Sequence, residues 1–271
     1  MAYLVRLSSS QVRETSAEII VNFRSELSLG GTKGIGRGIV EGFLAEGSTV
    51  HFCSRTSDEV IKAQADLRKQ YPQAEAHGSV LDVGDRDAVK SWVEKCVSIS
   101  SKIDVVVANV SALALGNNIE QWDETYRVDI LSTVILIQTA LPELEMSKGN
   151  IIAINSVSGR DIDHTAPGPY GSMKAALIHY IASLARTLAP KAVRANTVSP
   201  GNIYVADGVW GRVEKAKPEK FKRQLALNPM GRMGNREEVA NAVVFLASEK
   251  ASFISGTNLV VDGALCTGVQ F

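Results

Sequence analysis

The sequence predicts an α/β fold: a parallel sheet covered by helices on both faces. Two patterns predict it. Short apolar or β-branched runs, each bounded by turn residues, recur along the chain, and amphipathic stretches lie between them. Strands that alternate with helices build βαβ units, whose crossovers cover both faces of the sheet. In chain order the strand runs are residues 48–54, 105–107, 151–154, 195–198 and 258–261. Helical stretches cover residues 37–46, 87–97 and 237–246; in the first, Ile39, Val40, Phe43 and Leu44 share one face and Gly47 supplies the stop. Ahead of these, Arg24-Ser25-Glu26-Leu27-Ser28-Leu29 stands where a first strand belongs. A central parallel strand buried on both faces should not carry Arg and Glu. The expectation is therefore that only residues 27–29 pair, or that the segment is distorted. The longest irregular stretch runs from residue 202 to about 235, is rich in Lys, Gly and Pro, and carries Trp210. Following a strand's carboxyl end, it is a candidate substrate lid. Short connections favour one domain over residues 24–271, with residues 1–23 as a divergent extension.

Bulk properties narrow the function classes. Residues number 271, enough to bury a sizeable core, and 45% are hydrophobic against 21% charged, the mix of a soluble globular protein. Twenty-nine basic residues balance 29 acidic ones, and no basic run offers a surface for nucleic acid. The three cysteines, Cys53, Cys96 and Cys266, have no short pair spacing, which argues against a disulfide framework or a zinc site and fits a reducing compartment. No apolar run reaches membrane-spanning length, and residues 1–22 lack the apolar core of a secretory signal. The expectation is a cytoplasmic enzyme with no metal and no membrane or nucleic-acid partner.

A glycine-rich turn, Gly30-Gly31-Thr32-Lys33-Gly34-Ile35-Gly36, opens the first helix. Glycines let the backbone approach a pyrophosphate, and the helix start offers free N–H groups and a positive dipole end. A lone glycine pattern is weak, so the next strand decides. In NAD-binding folds of the doubly wound Rossmann type an acidic residue ends that strand and holds the ribose hydroxyls. Here Ser54 stands there, with Arg55 beside it and Lys33 in the glycine turn. Taken singly each cation reads as a solvated surface charge. Together, with no carboxylate at the strand end, they suit a 2′-phosphate and favour NADP(H) over NAD(H).

Tyr170 and Lys174, four residues apart in Tyr170-Gly171-Ser172-Met173-Lys174, share a helix face. An ammonium near a phenol favours the phenolate and fits the tyrosine for proton transfer. Ser156 ends a strand run, where its hydroxyl can hold a substrate oxygen.

Taken together the chain resembles the short-chain dehydrogenase/reductase family in its short single-domain form, from about residue 27 to the C-terminus. The resemblance rests on the glycine turn 30–36, Asp82-Val83, Asn109, Ser156, Tyr170-x-x-x-Lys174, Ser199-Pro200-Gly201, Ser255-Gly256 and Val261-Asp262-Gly263. It implies a Rossmann-type doubly wound sheet and hydride transfer to a ketone or other carbonyl, or to an imine. Tyr170 would be the general acid/base, Lys174 would support it and bind the nicotinamide ribose, and Ser156 would position the carbonyl. Asp82 and Val83 would sit by the adenine and Asn109 would line the cofactor cleft. Ile203, after Pro200-Gly201, would offer its backbone to the carboxamide. Members are usually homotetramers or homodimers, and the apolar stretches 131–141 and 175–188 would allow such packing.

Four departures stand out. Asp129, in Val128-Asp129-Ile130, replaces the family's Asn, which holds a water that relays protons to the Lys; it either substitutes simply or adds charge near Lys174. Ala108-Asn109-Val110-Ser111 replaces Asn-Asn-Ala-Gly and narrows the cleft. The first strand is polar. Val205 replaces a Thr near the cofactor phosphates. Substrate clues are thin: Ser158, His164 and Trp210 are pocket candidates, with Trp122 a second flat wall. Asp161 and Asp163 suit a cationic substrate or belong to a solvated loop. A non-redox NADPH-binding cyclase or isomerase, and a non-catalytic nucleotide sensor, are the alternatives; an intact Ser156, Tyr170 and Lys174 argues against both.

Overall fold

A computed structural model describes residues 25–163 and 166–268. The expected extension over residues 1–23, Arg24 and the pocket candidate His164 lie outside the described residues. Seven strands form one parallel sheet in the order β3-β2-β1-β4-β5-β6-β7: β1 Ser25–Leu29, β2 Thr49–Ser54, β3 Ala76–Val80, β4 Val105–Ala108, β5 Asn150–Ile154, β6 Arg194–Pro200 and β7 Asn258–Val261. The helices are α1 Gly34–Ala45, α2 Ser57–Gln70, α3 Arg86–Ser100, α4 Ile119–Thr125, α5 Ser132–Ser147, α6 Pro169–Leu188, α7 Val209–Ala216, α8 Pro218–Ala226 and α9 Arg236–Ala247. This is the doubly wound arrangement that the alternation predicts. Two cores flank the sheet. On one face Leu27, Leu29 and Val106 pack against Trp92 of α3, Leu136 of α5 and Ile181 of α6. On the other, Val50, Phe52, Val105 and Val107 meet Phe43 of α1, Leu67 of α2 and Val243 of α9.

Helix starts are set by side-chain caps. The Asp85 carboxylate accepts the backbone N–H groups of Asp87 and Ala88 at α3, and Asn235 and Glu238 form a reciprocal capping box at α9.

Two expectations fail. The first strand is neither shortened nor distorted: Ser25–Leu29 is wholly buried and pairs in register with β2 and β4. Strands on both sides fix the backbone of β1, and ladder hydrogen bonds do not depend on side chains. Glu26 is consequently carried into the core opposite Val50 and Val105 at 0% exposure. Neither carboxyl oxygen has a hydrogen-bond partner among the described residues, and burial holds the group well above the usual carboxylate range. The second failure is the irregular stretch 202–235, which contains α7 and α8. Lysine-rich outer faces hide their helical apolar spacing.

Candidate active site

The carboxyl ends of β1 to β5 open into one cleft of about 360 Å³, at the point where the strand order reverses between β1 and β4. This is where open α/β sheets bind ligands. Its lining includes Gly30, Thr32, Lys33, Ile35 and Gly36 of the first turn, and Ser54 and Arg55 after β2. Asp82 and Val83 follow β3, Asn109, Val110 and Ser111 follow β4, and Tyr170 and Lys174 come from α6. Residues read from separated motifs thus meet in one space, and Val110 and Ser111 are part of its lining.

At the glycine turn the chain doubles back tightly. Gly30 has φ +79°, and a Cβ on Gly36 would lie 1.7 Å from the Gly30 carbonyl oxygen. Asn109 Nδ2 donates to that same oxygen at 2.9 Å. Asn109 therefore ties the end of β4 to the turn as well as lining the cleft.

At the ribose end the structure supplies a carboxylate that the strand-end reading left out. Glu59, in the first turn of α2, accepts from Lys33 Nζ at 3.0 Å, Ser54 Oγ at 3.1 Å and Thr32 Oγ1 at 3.3 Å. The Lys33 ammonium, helped by Ser54 and Thr32, holds the Glu59 carboxyl below the usual range. Lys33 is thus not a free cation. Arg55 is exposed and makes no ion pair among the described residues. The five-residue step from Ser54 to Glu59 spans a strand end and a helix start, so no periodicity in the sequence marks it.

The second cluster is built where β5 ends. Ser156 caps the turn Val157–Gly159, its Oγ accepting the Ser158 N–H at 3.1 Å. That turn packs on α6 closely enough that a Cβ on Gly171 would meet the Ser158 carbonyl at 2.6 Å. Pro169 starts α6, placing Tyr170 in its first turn and Lys174 one turn on. Lys174 is buried; its Nζ donates to the Ile154 carbonyl at 3.2 Å and lies 3.2 Å from Asp129 Oδ2. The same Nζ is 6.0 Å from the Tyr170 ring centroid. Asp129 is fully buried and its Oδ1 accepts the Ala112 N–H at 2.8 Å. It sits in a π-helical turn, Tyr126–Leu131, between α4 and α5. The replaced Asn position therefore makes a direct ion pair with Lys174.

The remaining candidates are placed apart. Pro200 ends β6 and the Gly201 N–H donates to Val261; neither lines the main cleft. Ile203 lines a separate cavity of about 70 Å³ with Met230, Gly234 and Asp262. Gly34, at φ +59°, starts α1 beside the cleft. Ser158 Oγ donates to Asp163 at 3.0 Å. Trp210 is half-buried on α7, outside the cleft lining. Trp122, on α4, donates its indole N–H to Asn117.

Asn155 was not expected at the site. It lines the cleft at 5% exposure, and neither polar atom of its carboxamide has a hydrogen-bond partner among the described residues. A buried amide with no partner costs about 1–3 kcal/mol, and this one faces the cleft, where a polar ligand group could reach it. The fit to a dinucleotide is good: a turn closed to side chains, donors at the ribose end, and an open amide at the reacting end.

Comparison with known proteins places the chain among relatives of the same fold. The family model described as enoyl-(acyl carrier protein) reductase matches residues 30–265. The chain is 37% identical over 251 residues to isoepoxydon dehydrogenase patN of Penicillium expansum, covering 90% of this chain and 95% of that protein. It is 32% identical over 253 residues to the 3-oxoacyl-(acyl-carrier-protein) reductase FabG of Aquifex aeolicus, covering 92% and 99%. The NADPH-bound short chain oxidoreductase of Pseudomonas aeruginosa PAO1, described as containing an atypical catalytic center, superposes with a TM-score of 0.82 at 29% identity over 91% of this chain and 98% of that one. L-sorbose reductase from Gluconobacter frateurii, complexed with NADPH and L-sorbose, gives 0.83 at 25% identity over 93% and 99%.

Proposed function

The chain belongs to the short-chain dehydrogenase/reductase family of oxidoreductases, and on that premise we propose that it is an NADP(H)-dependent enzyme reducing a ketone or other carbonyl of a small molecule, with Tyr170 as proton donor. One observation carries the reading: Tyr170 and Lys174 line the same cleft as the glycine turn, Ser54 and Arg55. A proton donor and a dinucleotide cradle serve one reaction only if they share a space. Two structural neighbours contain NADPH, which supports the choice of nucleotide.

Gly30, Gly34, Ile35 and Gly36 would hold the pyrophosphate, and Lys33 and Arg55 the 2′-phosphate. Asp82 and Val83 would flank the adenine, with Asn109, Tyr170 and Lys174 along the cleft; Pro200, Gly201 and Ile203, which lie outside its lining, would reach the carboxamide end of the cofactor from beyond it. The bound nicotinamide supplies the hydride. Charge then grows on the carbonyl oxygen, where the Ser156 hydroxyl donates a hydrogen bond and Tyr170 delivers a proton. Lys174 keeps a positive charge beneath the Tyr170 ring and so steadies the phenolate left behind. Asp129 balances that charge in the buried pair and fixes the ammonium against the Ile154 carbonyl. An assembly of two or four copies belongs to the same proposal.

The test is Tyr170→Phe. Turnover of carbonyl substrates with NADPH should fall about 10²- to 10⁴-fold, while NADPH affinity stays within a few-fold of wild type. Unchanged turnover would remove Tyr170 from the chemistry and turn attention to a non-redox or sensor role.

A further inference from the structure

Three donors at the ribose end of the cleft converge on one acceptor. Thr32 Oγ1, Lys33 Nζ and Ser54 Oγ all bond to the carboxylate of Glu59. All three donor residues line the cleft, whereas Glu59 itself approaches them from α2. An anion is thus already seated on the groups that an incoming 2′-phosphate needs.

We propose that Glu59 is a specificity-determining residue: a resident carboxylate that competes with the 2′-phosphate of NADP(H) for Thr32, Lys33 and Ser54, and so narrows this protein's preference for NADP(H) over NAD(H). The inference rests on the cofactor reading above. Its physics is ordinary competition. A phosphate on the adenosine ribose gains charge-assisted hydrogen bonds from Lys33 and the two hydroxyls only if Glu59 releases them. It also meets the repulsion of a carboxylate a few ångströms away. NAD(H) carries no phosphate there, so it meets no such competition. Arg55 is the one cation of the pair left without a carboxylate among the described residues. It supplies the starting attraction for the phosphate, while Glu59 withholds the rest.

The Lys33–Glu59 contact is largely exposed, with side-chain exposures of 67% and 36%. Exposed pairs are weak, so the effect is a tuning of preference. Removing the carboxylate charge should raise NADPH affinity about two- to fivefold.

The experiment titrates NADPH and NADH, followed by nucleotide fluorescence, into the wild type, Glu59→Gln, Lys33→Ala, the double variant and Arg55→Ala. Glu59→Gln should bind NADPH more tightly by that factor and change NADH affinity less than about twofold. The gain should differ in the Lys33→Ala background, where Glu59 still holds Thr32 and Ser54 but no longer the ammonium, and the size of that coupling reads the share of the effect that passes through Lys33. NADPH binding that depends on Arg55 but is unchanged or weakened by Glu59→Gln overturns the Glu59 proposal and leaves the cofactor reading standing. NADH affinity that falls in Glu59→Gln assigns the carboxylate to the ribose hydroxyls and also overturns it. A wild type that prefers NADH, or binds neither nucleotide, with Arg55→Ala indifferent, overturns both readings.

Discussion

Replacing Glu26 by Val should stabilise this protein, and the gain should grow with pH. The carboxyl lies in the centre of the sheet at 0% exposure, opposite Val50 and Val105, with neither oxygen partnered among the described residues. Burial raises it well above the usual range, so the folded state keeps a proton that the unfolded chain releases above about pH 4.3. Stability is therefore greatest below that value and falls as pH rises toward the folded-state value. The slope is about 1.4 kcal/mol per pH unit for as long as the folded carboxyl stays protonated. Between about pH 5 and about pH 7 the wild type should therefore lose stability relative to Glu26→Val, at no more than that slope. Beneath that lies a constant gain of about 1–3 kcal/mol, the cost of a neutral buried polar group without a partner. Valine is close to glutamate in volume and adds no large cavity or overpacking. Urea unfolding of wild type, Glu26→Val and Glu26→Gln at about pH 5, 6 and 7 reads both contributions. The Gln variant should lose the pH-dependent part and keep the polar cost. If wild type and Glu26→Val show parallel pH profiles, Glu26 does not titrate on unfolding. If Val destabilises, the carboxyl has a partner and the burial argument is wrong.

Two further predictions concern charge in the core. Burial, aided by the stacked His77, lowers His51 from 6.5 to about 4, so the unfolded chain takes up a proton over that window that the folded one refuses. Stability should fall as pH drops from about 6.5 toward 4, by roughly 3 kcal/mol in all; His51→Gln should flatten this limb in urea midpoints, and an unchanged limb would clear His51 of the effect. Asp129→Leu should cost about 3–5 kcal/mol by leaving the Lys174 ammonium buried and uncompensated, whereas Asp129→Asn, which still accepts from Ala112, should cost less. A midpoint for Asp129→Asn equal to that of wild type would show that the ion pair carries no stability.

The sequence made most of the frame legible for a plain reason. Strands β4, β5 and β7 are short β-branched or apolar runs with turn residues beside them, and α1, α3 and α9 keep their buried faces at helical spacing. It failed where neighbours overrode composition. The β1 strand, Ser-Glu-Leu-Ser-Leu, is held by β2 and β4 whatever its side chains, and β3, with Ala, His and Gly, offers no apolar run to notice. In the cleft, Tyr170 and Lys174 were readable because one helix turn brings them together. Asn155 and Glu59 were not. Each becomes significant only through what surrounds it in space: an absence of partners for one and three donors from two other segments for the other. Of the two readings of Asp129, the added charge near Lys174 is the one that its direct pairing with that lysine matches.

The wide turn of helix at Tyr126–Leu131 takes up one extra residue between two rods while keeping them nearly in phase. A π turn holds one residue more than an α turn at the same place. Deleting a single residue there would restore ordinary winding and leave α4 and α5 each intact as helices. It would keep the two helices nearly in phase but remove the wide turn that presents Asp129, and so turn its carboxylate away from Lys174. The segment thus tolerates substitution far better than it tolerates a change of length, and a chain one residue shorter here would have to find its lysine's counter-charge elsewhere.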